Sequence, residues 1–224
     1  MSEKLTYIGE IQKLENHKLR SQTNFNDTFT EILKHYSHFR ECTRDGNCFY
    51  SSALFKFLEL VPSLQHKTFD EILEKLQFYN KKIVESGIEE YSFKDFYDAM
   101  LANIHASRRK NFDLNDIDDF SFSSMIAYSK LLIATEMRIN PEKYKPFILD
   151  YSVEEYCKKN VDPFYVEAGH LEIDALVNVL NIGIEVISVE NSQYLLQFGR
   201  KDISISLLYT PNHFEPIYKI IDEK

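Results

Sequence analysis

Two hydrophobic periodicities divide this sequence, and the change between them limits the folds that the chain can adopt. Up to about residue 149 the apolar residues recur at intervals of three and four, the spacing of helices with one buried face. From residue 182 onward, short apolar runs separated by polar turns indicate strands. A helical first part followed by a meander of strands predicts an α+β domain whose C-terminal sheet is mainly antiparallel.

The predicted helices are separated by polar or turn-forming residues. They cover residues 26–36, 47–60, 69–79, 93–104 and 116–139, and Asn140-Pro141 ends the last of them. Ser152 and Glu155 have capping-box spacing and predict another helix start, and residues 172–180 predict a buried helix. The predicted strands cover residues 182–189, 194–198, 203–209 and 214–220.

The first 24 residues have a different texture, polar with a few apolar side chains. Ile8, Ile11 and Leu14 are spaced three apart, which predicts a helix with one apolar face. Such a helix could pack on its own domain or fray, or it could be an arm that contacts a partner, and both interpretations stay open. We therefore divide the chain into an N-terminal helical arm, residues 1–24, and one main domain, residues 25–224.

The net charge and the cysteine content limit which partners the chain can bind and which cellular compartment suits it. The net charge is -9, which argues against nucleic acid because binding to phosphates needs clustered Lys and Arg. No apolar run approaches the roughly twenty residues of a membrane helix, so we expect no membrane association. The three Cys form neither a disulfide framework nor a C-x-x-C metal pair, which indicates a reducing compartment. We expect a monomer in the cytoplasm, with the nucleus as the alternative location.

One segment has the features of a cysteine nucleophile. In Asp45-Gly46-Asn47-Cys48-Phe49-Tyr50, a turn runs directly into a helical pattern that begins near Cys48. Unpaired N–H groups and partial positive charge at a helix start stabilise a thiolate, so we expect a lowered pKa for Cys48. Backbone N–H groups of Asp45, Gly46, Asn47 and Cys48 could also bind an oxyanion. Cys42 and Cys157 lack a glycine turn and are interpreted as buried packing residues.

A thiolate needs a base, and His213 is the strongest candidate among the seven His. It follows a Pro-Asn turn and opens the last predicted strand, where alternation places Glu215 on the same face. Glu215 could then hold the ring in the tautomer that serves the thiol. His170 is interpreted as structural. The remaining five lie in polar helical stretches and are expected at the surface: His17, His35, His38, His66 and His105.

Three ordered blocks resemble the ovarian-tumour (OTU) family of cysteine proteases, and within it the otubain branch. They are the Cys48 segment, the segment Leu207–Tyr218 around His213, and residues 161–176 with Glu167-Ala168-Gly169-His170-Leu171-Glu172. The resemblance covers about residues 25–219. It implies a papain-like α+β protease domain with Cys48 as nucleophile and His213 as base. Asp45 maps to the loop residue that shapes the oxyanion hole, Glu215 stands where otubains usually carry Asp, and Asn212 where they often have Gly.

The resemblance also implies a substrate and a chemistry. The substrate is ubiquitin or polyubiquitin joined through an isopeptide bond, no metal or organic cofactor is required, and a ubiquitin-conjugating enzyme is a further expected partner. Acidic residues beside the nucleophile would suit the basic C-terminal tail of ubiquitin. Two alternatives stay open: a peptidase for another ubiquitin-like modifier or a general peptide, and a protein that binds ubiquitin or a conjugating enzyme without cleaving a bond.

Overall fold

A six-stranded sheet forms one layer of the structure, a computed structural model that describes residues 7–17, 26–190 and 194–220. The strands are β1 (Ile8–Lys13), β2 (Tyr36–Cys42), β3 (Gly183–Ser188), β4 (Leu195–Gly199), β5 (Ser204–Thr210) and β6 (His213–Lys219). Their order is β1-β2-β6-β5-β3-β4, with β3 and β5 parallel and the other neighbours antiparallel. The predicted α+β class with a mainly antiparallel sheet is confirmed.

Helices supply the second layer. They are α1 (Asn26–Ile32), α2 (Cys48–Leu60), α3 (His66–Glu85), α4 (Lys94–Ser107), α5 (Asp119–Ile139), α6 (Pro141–Tyr144), α7 (Val153–Tyr156) and α8 (His170–Leu180). Helix α7 begins with the predicted capping box of Ser152 and Glu155 and continues as one π-helical stretch, Cys157–Val161. Helix α2 is buried along most of its length and packs against β6 and β5.

The sheet has an apolar cluster on each face. The larger cluster joins the sheet to α2, α3, α4, α5 and α8. The smaller cluster lies on the opposite face and consists of Leu14, Phe29, Ile32, Tyr36, Phe39, Ile187, Val189, Leu208 and Ile217. Alternation along β6 places Phe214 toward the larger cluster, and His213, Glu215 and Ile217 toward the smaller one. Side chains of β6 therefore contribute to both faces of the sheet, the face that carries the helices of the larger cluster and the face that carries the smaller cluster.

The predicted N-terminal helix is wrong for the part of the arm that is described. Ile8–Lys13 form β1, an edge strand paired with β2, and Leu14–Asn16 form a single 3-10 turn. Three apolar residues are too few for periodicity to decide between helix and strand. The free edge of β2 offers backbone hydrogen bonds, and that pairing sets the outcome. The predicted helix over residues 26–36 likewise ends at Ile32, because Tyr36 belongs to β2.

Candidate active site

The turn before α2 is held by its own side chain and by a close neighbour. The Asn47 N–H donates to Asp45 Oδ1 over 2.8 Å, which fixes the turn. Gly46 has φ +83°, and a Cβ there would lie 2.3 Å from the Tyr165 carbonyl oxygen. Only glycine combines that conformation with that approach. Cys48 follows as the first residue of α2, with its side chain buried.

This geometry bears on the predicted oxyanion donors. Because the Asn47 N–H is committed to the Asp45 carboxylate, it cannot also donate to a substrate without breaking the turn. Asn47 stays a predicted oxyanion donor, but its N–H would have to leave the Asp45 carboxylate to serve a substrate. Asp45 serves the turn through its carboxylate, in keeping with the loop-shaping role that the resemblance implied. The N–H groups of Asp45, Gly46 and Cys48 remain predicted donors.

The first two turns of α2 contact β6 at Phe214 through two hydrogen bonds and one ring contact. The Phe214 N–H points at Cys48 Sγ over 3.4 Å, and the Phe214 carbonyl accepts from Ser52 Oγ over 3.0 Å. Phe49 adds an edge-to-face ring contact with Phe214, at 5.3 Å between centroids. Residues on successive turns of one helix face thus fix β6 beside the thiol. His213 is the residue before Phe214, so its backbone adjoins the strand position that contacts Cys48.

The acid predicted beside His213 is in contact with it. Glu215 Oε1 lies 3.5 Å from His213 Nε2. Both side chains are buried, with 1 % of the His213 side chain and 2 % of the Glu215 side chain exposed. The predicted shared face is therefore correct. The other ring nitrogen, Nδ1, is buried and has no hydrogen-bond partner among the described residues. That nitrogen is the one left to serve the thiol once Nε2 is engaged by the carboxylate.

Burial raises the pKa of the Cys48 thiol above its ordinary value. The Phe214 N–H opposes this rise, and the negative charge of Glu167 adds to it. The lowered pKa expected from the helix start is therefore wrong for this arrangement, because loss of water around the sulfur outweighs the helix end. Burial alone would also raise the pKa of Glu215, but hydrogen bonds with His17 and His213 outweigh burial and lower it to about 2. The acid is thus an anion.

The start of the third resemblance block, residues 161–166, forms a loop that braces the nucleophile turn. Residues 161–166 wrap around the buried ammonium of Lys130 on α5, which donates to the carbonyls of Val161, Pro163 and Val166 over 3.4, 3.0 and 3.2 Å. The same ammonium lies 4.1 Å from the Tyr50 ring centroid. Burial lowers the pKa of Lys130 to about 8. Lys130 therefore ties α5 and α2 to the loop whose Tyr165 carbonyl touches Gly46.

His17 was expected at the surface, and that prediction is wrong. Its ring is buried, and Nε2 lies 2.9 Å from Glu215 Oε2. The spacing of three through Ile8, Ile11 and Leu14 does not account for its burial, because the segment is a strand and Ile11 is exposed. The other histidines expected at the surface are exposed or half-buried: His35, His38, His66 and His105. His170, the first residue of α8, stacks on Phe198 with 5.8 Å between the ring centroids.

Residues 7–17, 26–190 and 194–220 contain no group of three or more His, Cys, Asp or Glu arranged to hold a metal ion. Within the same ranges, no helix combines the length and the apolar character needed to span a membrane. All three cysteines are free and buried, as expected for Cys42 and Cys157.

Known proteins are similar to this chain in sequence and in fold. Residues 1–219 match the family described as Peptidase C65 otubain. The "Ubiquitin thioesterase otubain-like" of Caenorhabditis elegans is 25 % identical over 85 % of this chain and 72 % of its own length. "Ubiquitin thioesterase OTUB1" of Homo sapiens is 24 % identical over 94 % of this chain and 81 % of its own.

A solved structure has the same fold over nearly its whole length. It is described as a complex of ceOTUB1, ubiquitin aldehyde and UBC13~Ub, and it superposes with a TM-score of 0.84 at 20 % identity, covering 97 % of this chain and 95 % of that one. With the family match over residues 1–219, the expected resemblance is confirmed. The chain belongs to the otubain family of cysteine peptidases, Peptidase C65.

Proposed function

We propose that this protein is a deubiquitinase that cleaves the isopeptide bond between the C-terminal Gly of ubiquitin and a lysine side chain. The proposal is supported by two contacts at the junction of α2 and β6: the Phe214 N–H points at Cys48 Sγ, and the Glu215 carboxylate lies beside the ring of the adjoining residue, His213. The substrate class comes from the family and from relatives named ubiquitin thioesterases.

The first chemical step is deprotonation of the thiol. Because burial raises the pKa of Cys48, the resting sulfur needs a base. His213 Nδ1 takes the proton, and Glu215 stabilises the imidazolium that forms. The thiolate attacks the carbonyl of the terminal Gly, and the imidazolium returns the proton to the leaving lysine amine. Water activated by His213 then hydrolyses the thioester and releases ubiquitin.

Backbone donors stabilise the oxyanion of each tetrahedral intermediate. The candidates are the N–H groups of Asp45, Gly46 and Cys48, since that of Asn47 is used inside the turn. A rigid turn matters here because donors that are already oriented lose no energy to reorganisation during the reaction. The Asp45 side chain and the Tyr165 contact with Gly46 supply that rigidity.

The charge around the nucleophile supports a basic substrate tail. The carboxylates of Glu167 and Asp45 both raise the pKa of Cys48, which places negative charge beside the sulfur. The net charge of the chain, -9, has the same sign. A basic, extended tail ending in Gly-Gly is attracted to such a site, and small residues fit beside a buried thiol.

The test is a time course of di-ubiquitin hydrolysis over all linkage types with wild type and Cys48→Ala. We expect cleavage by wild type and no measurable cleavage by Cys48→Ala, because the nucleophile is removed while the helix start is kept. Cys157→Ala and Cys42→Ala are the matched controls and should stay active, with circular dichroism confirming the fold of each variant. Substantial hydrolysis by Cys48→Ala would contradict the nucleophile assignment.

Binding without cleavage is the second candidate. The structural neighbours are complexes of OTUB1 proteins with UBC13~Ub and UBCH5B~Ub, which makes a ubiquitin-charged conjugating enzyme a reasonable partner to test. A protein of this kind would bind the charged enzyme in both wild-type and Cys48→Ala form and would cleave no di-ubiquitin. A panel of C-terminal probes built on ubiquitin and on other modifiers separates a deubiquitinase from a peptidase for another tail.

A further inference from the structure

The Glu215 carboxylate is shared between two imidazole rings that come from opposite ends of the chain. Its Oε1 faces His213 Nε2 at 3.5 Å, and its Oε2 faces His17 Nε2 at 2.9 Å. All three side chains are buried. The contact with His17 is the shorter of the two and has ordinary hydrogen-bond length, whereas that with His213 is at the outer limit.

The position of the His17 ring is fixed by the fold around it. The backbone N–H of His17 donates to the Leu14 carbonyl over 3.0 Å, and this bond closes the 3-10 turn that follows β1. The ring packs edge-on against Phe39 of β2 at 4.6 Å and tilted against Phe29 of α1 at 6.0 Å. With Leu14 fully buried in the same cluster, the ring has little freedom to leave the carboxylate.

A glutamate at this position needs such a second contact. Glu has one more side-chain torsion than Asp, and its terminal torsion has a broad distribution. A single contact of 3.5 Å leaves the carboxylate free to rotate away from His213. A second hydrogen bond on the opposite oxygen removes that freedom and keeps the buried anion satisfied.

We propose that His17 is a positioning residue of the catalytic site, which fixes Glu215 so that Glu215 can orient the His213 ring. The proposal rests on the proposed function for its kinetic consequences. His17 touches neither the thiol nor a substrate in this proposal, and it acts only through the carboxylate. The N-terminal segment thereby completes a site whose other residues lie at positions 48, 213 and 215.

The decisive variants are His17→Ala, which removes the contact, and His17→Gln, whose amide can donate from about the same position. For His17→Ala we expect kcat on di-ubiquitin to fall by about tenfold or more while KM changes by less than about twofold, because only the orientation of the base is lost. His17→Gln should recover at least part of kcat. His38→Ala is the matched control, since His38 is half-buried on β2 and bonded through Nδ1 to Ser37.

A structural role for His17 predicts a different pattern. The melting temperature of His17→Ala would fall, and kcat measured well below that temperature would match wild type. The Glu215→Ala background adds a second criterion. If His17 acts through Glu215, then adding His17→Ala to Glu215→Ala should lower kcat no further. Wild-type kcat in His17→Ala, or an additional fall of kcat in the Glu215→Ala background, would overturn the proposal.

Alkylation of Cys48 by iodoacetamide tests the same proposal without ubiquitin. The reaction needs the thiolate, which His213 generates, and its rate can be followed for each cysteine peptide by mass spectrometry. We expect the rate at Cys48 to fall several-fold in His17→Ala and to recover in His17→Gln, with Cys42 and Cys157 unchanged. An unchanged rate in His17→Ala would overturn the positioning role. If these rates behave as expected but wild type cleaves no di-ubiquitin, the proposed function fails and the role of His17 stands.

Discussion

Glu215 is a longer acid than the Asp that otubains usually carry, and the structure shows what the extra length reaches. Its two oxygens contact His213 and His17, so the carboxylate spans the space between both rings. An aspartate in the same backbone position has one carbon fewer, and it could not make both contacts without a shift of the strand. The substitution is therefore compatible with an orienting acid, provided that the second contact holds it.

The acid should matter less than the base. Glu215→Gln keeps a group of the same shape that can still accept from His213 Nε2, but it removes the charge that stabilises the imidazolium. We expect kcat to fall by between about 10-fold and 10⁴-fold, and His213→Ala to leave almost no activity. Both are measured as kcat on the preferred di-ubiquitin, with circular dichroism to confirm folding. Equal activity of Glu215→Gln and wild type would mean that another group orients the ring.

Gly46 is the residue at which a single methyl group should disturb the site most. Gly46→Ala has to adopt φ +83° and place a Cβ 2.3 Å from the Tyr165 oxygen. We expect a loss of more than about 2 kcal/mol of stability and a larger loss of kcat, because the turn that carries the oxyanion donors has to move.

Gly87→Ala is the matched control for that prediction. Gly87 also has positive φ, +95°, but a Cβ there would meet no atom within 4 Å. Its cost should be limited to the strain of the left-handed conformation, about 1 kcal/mol, with normal kcat. Thermal unfolding and di-ubiquitin kinetics of both variants separate the effect of backbone strain, which both share, from the effect of the close contact with Tyr165, which only Gly46→Ala has. Similar kinetics for the two variants would show that the contact with Tyr165 is not needed.

Among the elements, the N-terminal segment shows the largest difference between the predicted and the observed structure. The sequence left two interpretations of residues 1–24 open, a helix packed on its own domain and an arm that contacts a partner. In the structure, β1 extends the sheet, Leu14 fills the smaller apolar cluster and His17 reaches Glu215. Deleting these residues should therefore affect stability and chemistry as well as affinity.

A chain that begins at Ser21 tests this expectation. Loss of the buried Leu14 side chain alone costs roughly 2 to 5 kcal/mol, so we expect a melting temperature lower by about 5 to 15 °C. We also expect lower kcat, because His17 is removed. A chain that begins at Tyr7 is the control and should keep wild-type stability and kcat. A Ser21 chain with normal melting and normal kcat, but a raised KM, would support the alternative interpretation of an arm that only contacts a partner.

The strands and helices differ in how well the sequence predicted them. Helices α2, α4, α5 and α8 were predicted to within three residues, and α3 was predicted but extends six residues further, since each repeats its apolar spacing over several turns. Strands β3 to β6 were also predicted, because short apolar runs alternate with turns. Strand β1 was predicted as a helix and β2 was missed. Both form by pairing: β1 pairs with β2, and β2 pairs with β6, 170 or more residues away along the chain.

At the scale of the whole molecule, the anionic state of Glu215 links the site to stability. Burial alone would raise its pKa, but the hydrogen bonds with His17 and His213 outweigh burial and lower the pKa from 4.5 to about 2. Between these values the unfolded chain binds more protons at this residue than the folded one. The stabilisation is therefore complete above about pH 4.5 and is lost as the pH falls toward 2. The shift corresponds to on the order of 3 kcal/mol.

We expect this contribution to appear as a difference between two titrations. The free energy of unfolding, measured in urea from about pH 6 down to about pH 3, should fall more steeply for wild type than for Glu215→Gln, which cannot titrate there. Any advantage of wild type over Glu215→Gln should therefore shrink as the solution becomes more acidic. Parallel curves for the two proteins would show that Glu215 has an ordinary pKa in the folded state.

The sequence by itself determined the class of fold, the turn into a helix at Cys48 and the pairing of His213 with Glu215 on one strand face. These follow from patterns within a few residues, for which backbone geometry is enough. Only the tertiary structure decided the raised pKa of the thiol, the use of the Asn47 N–H inside its own turn and the burial of His17 against Glu215. Each depends on which distant segments exclude water or compete for a hydrogen bond, and local sequence does not encode that directly.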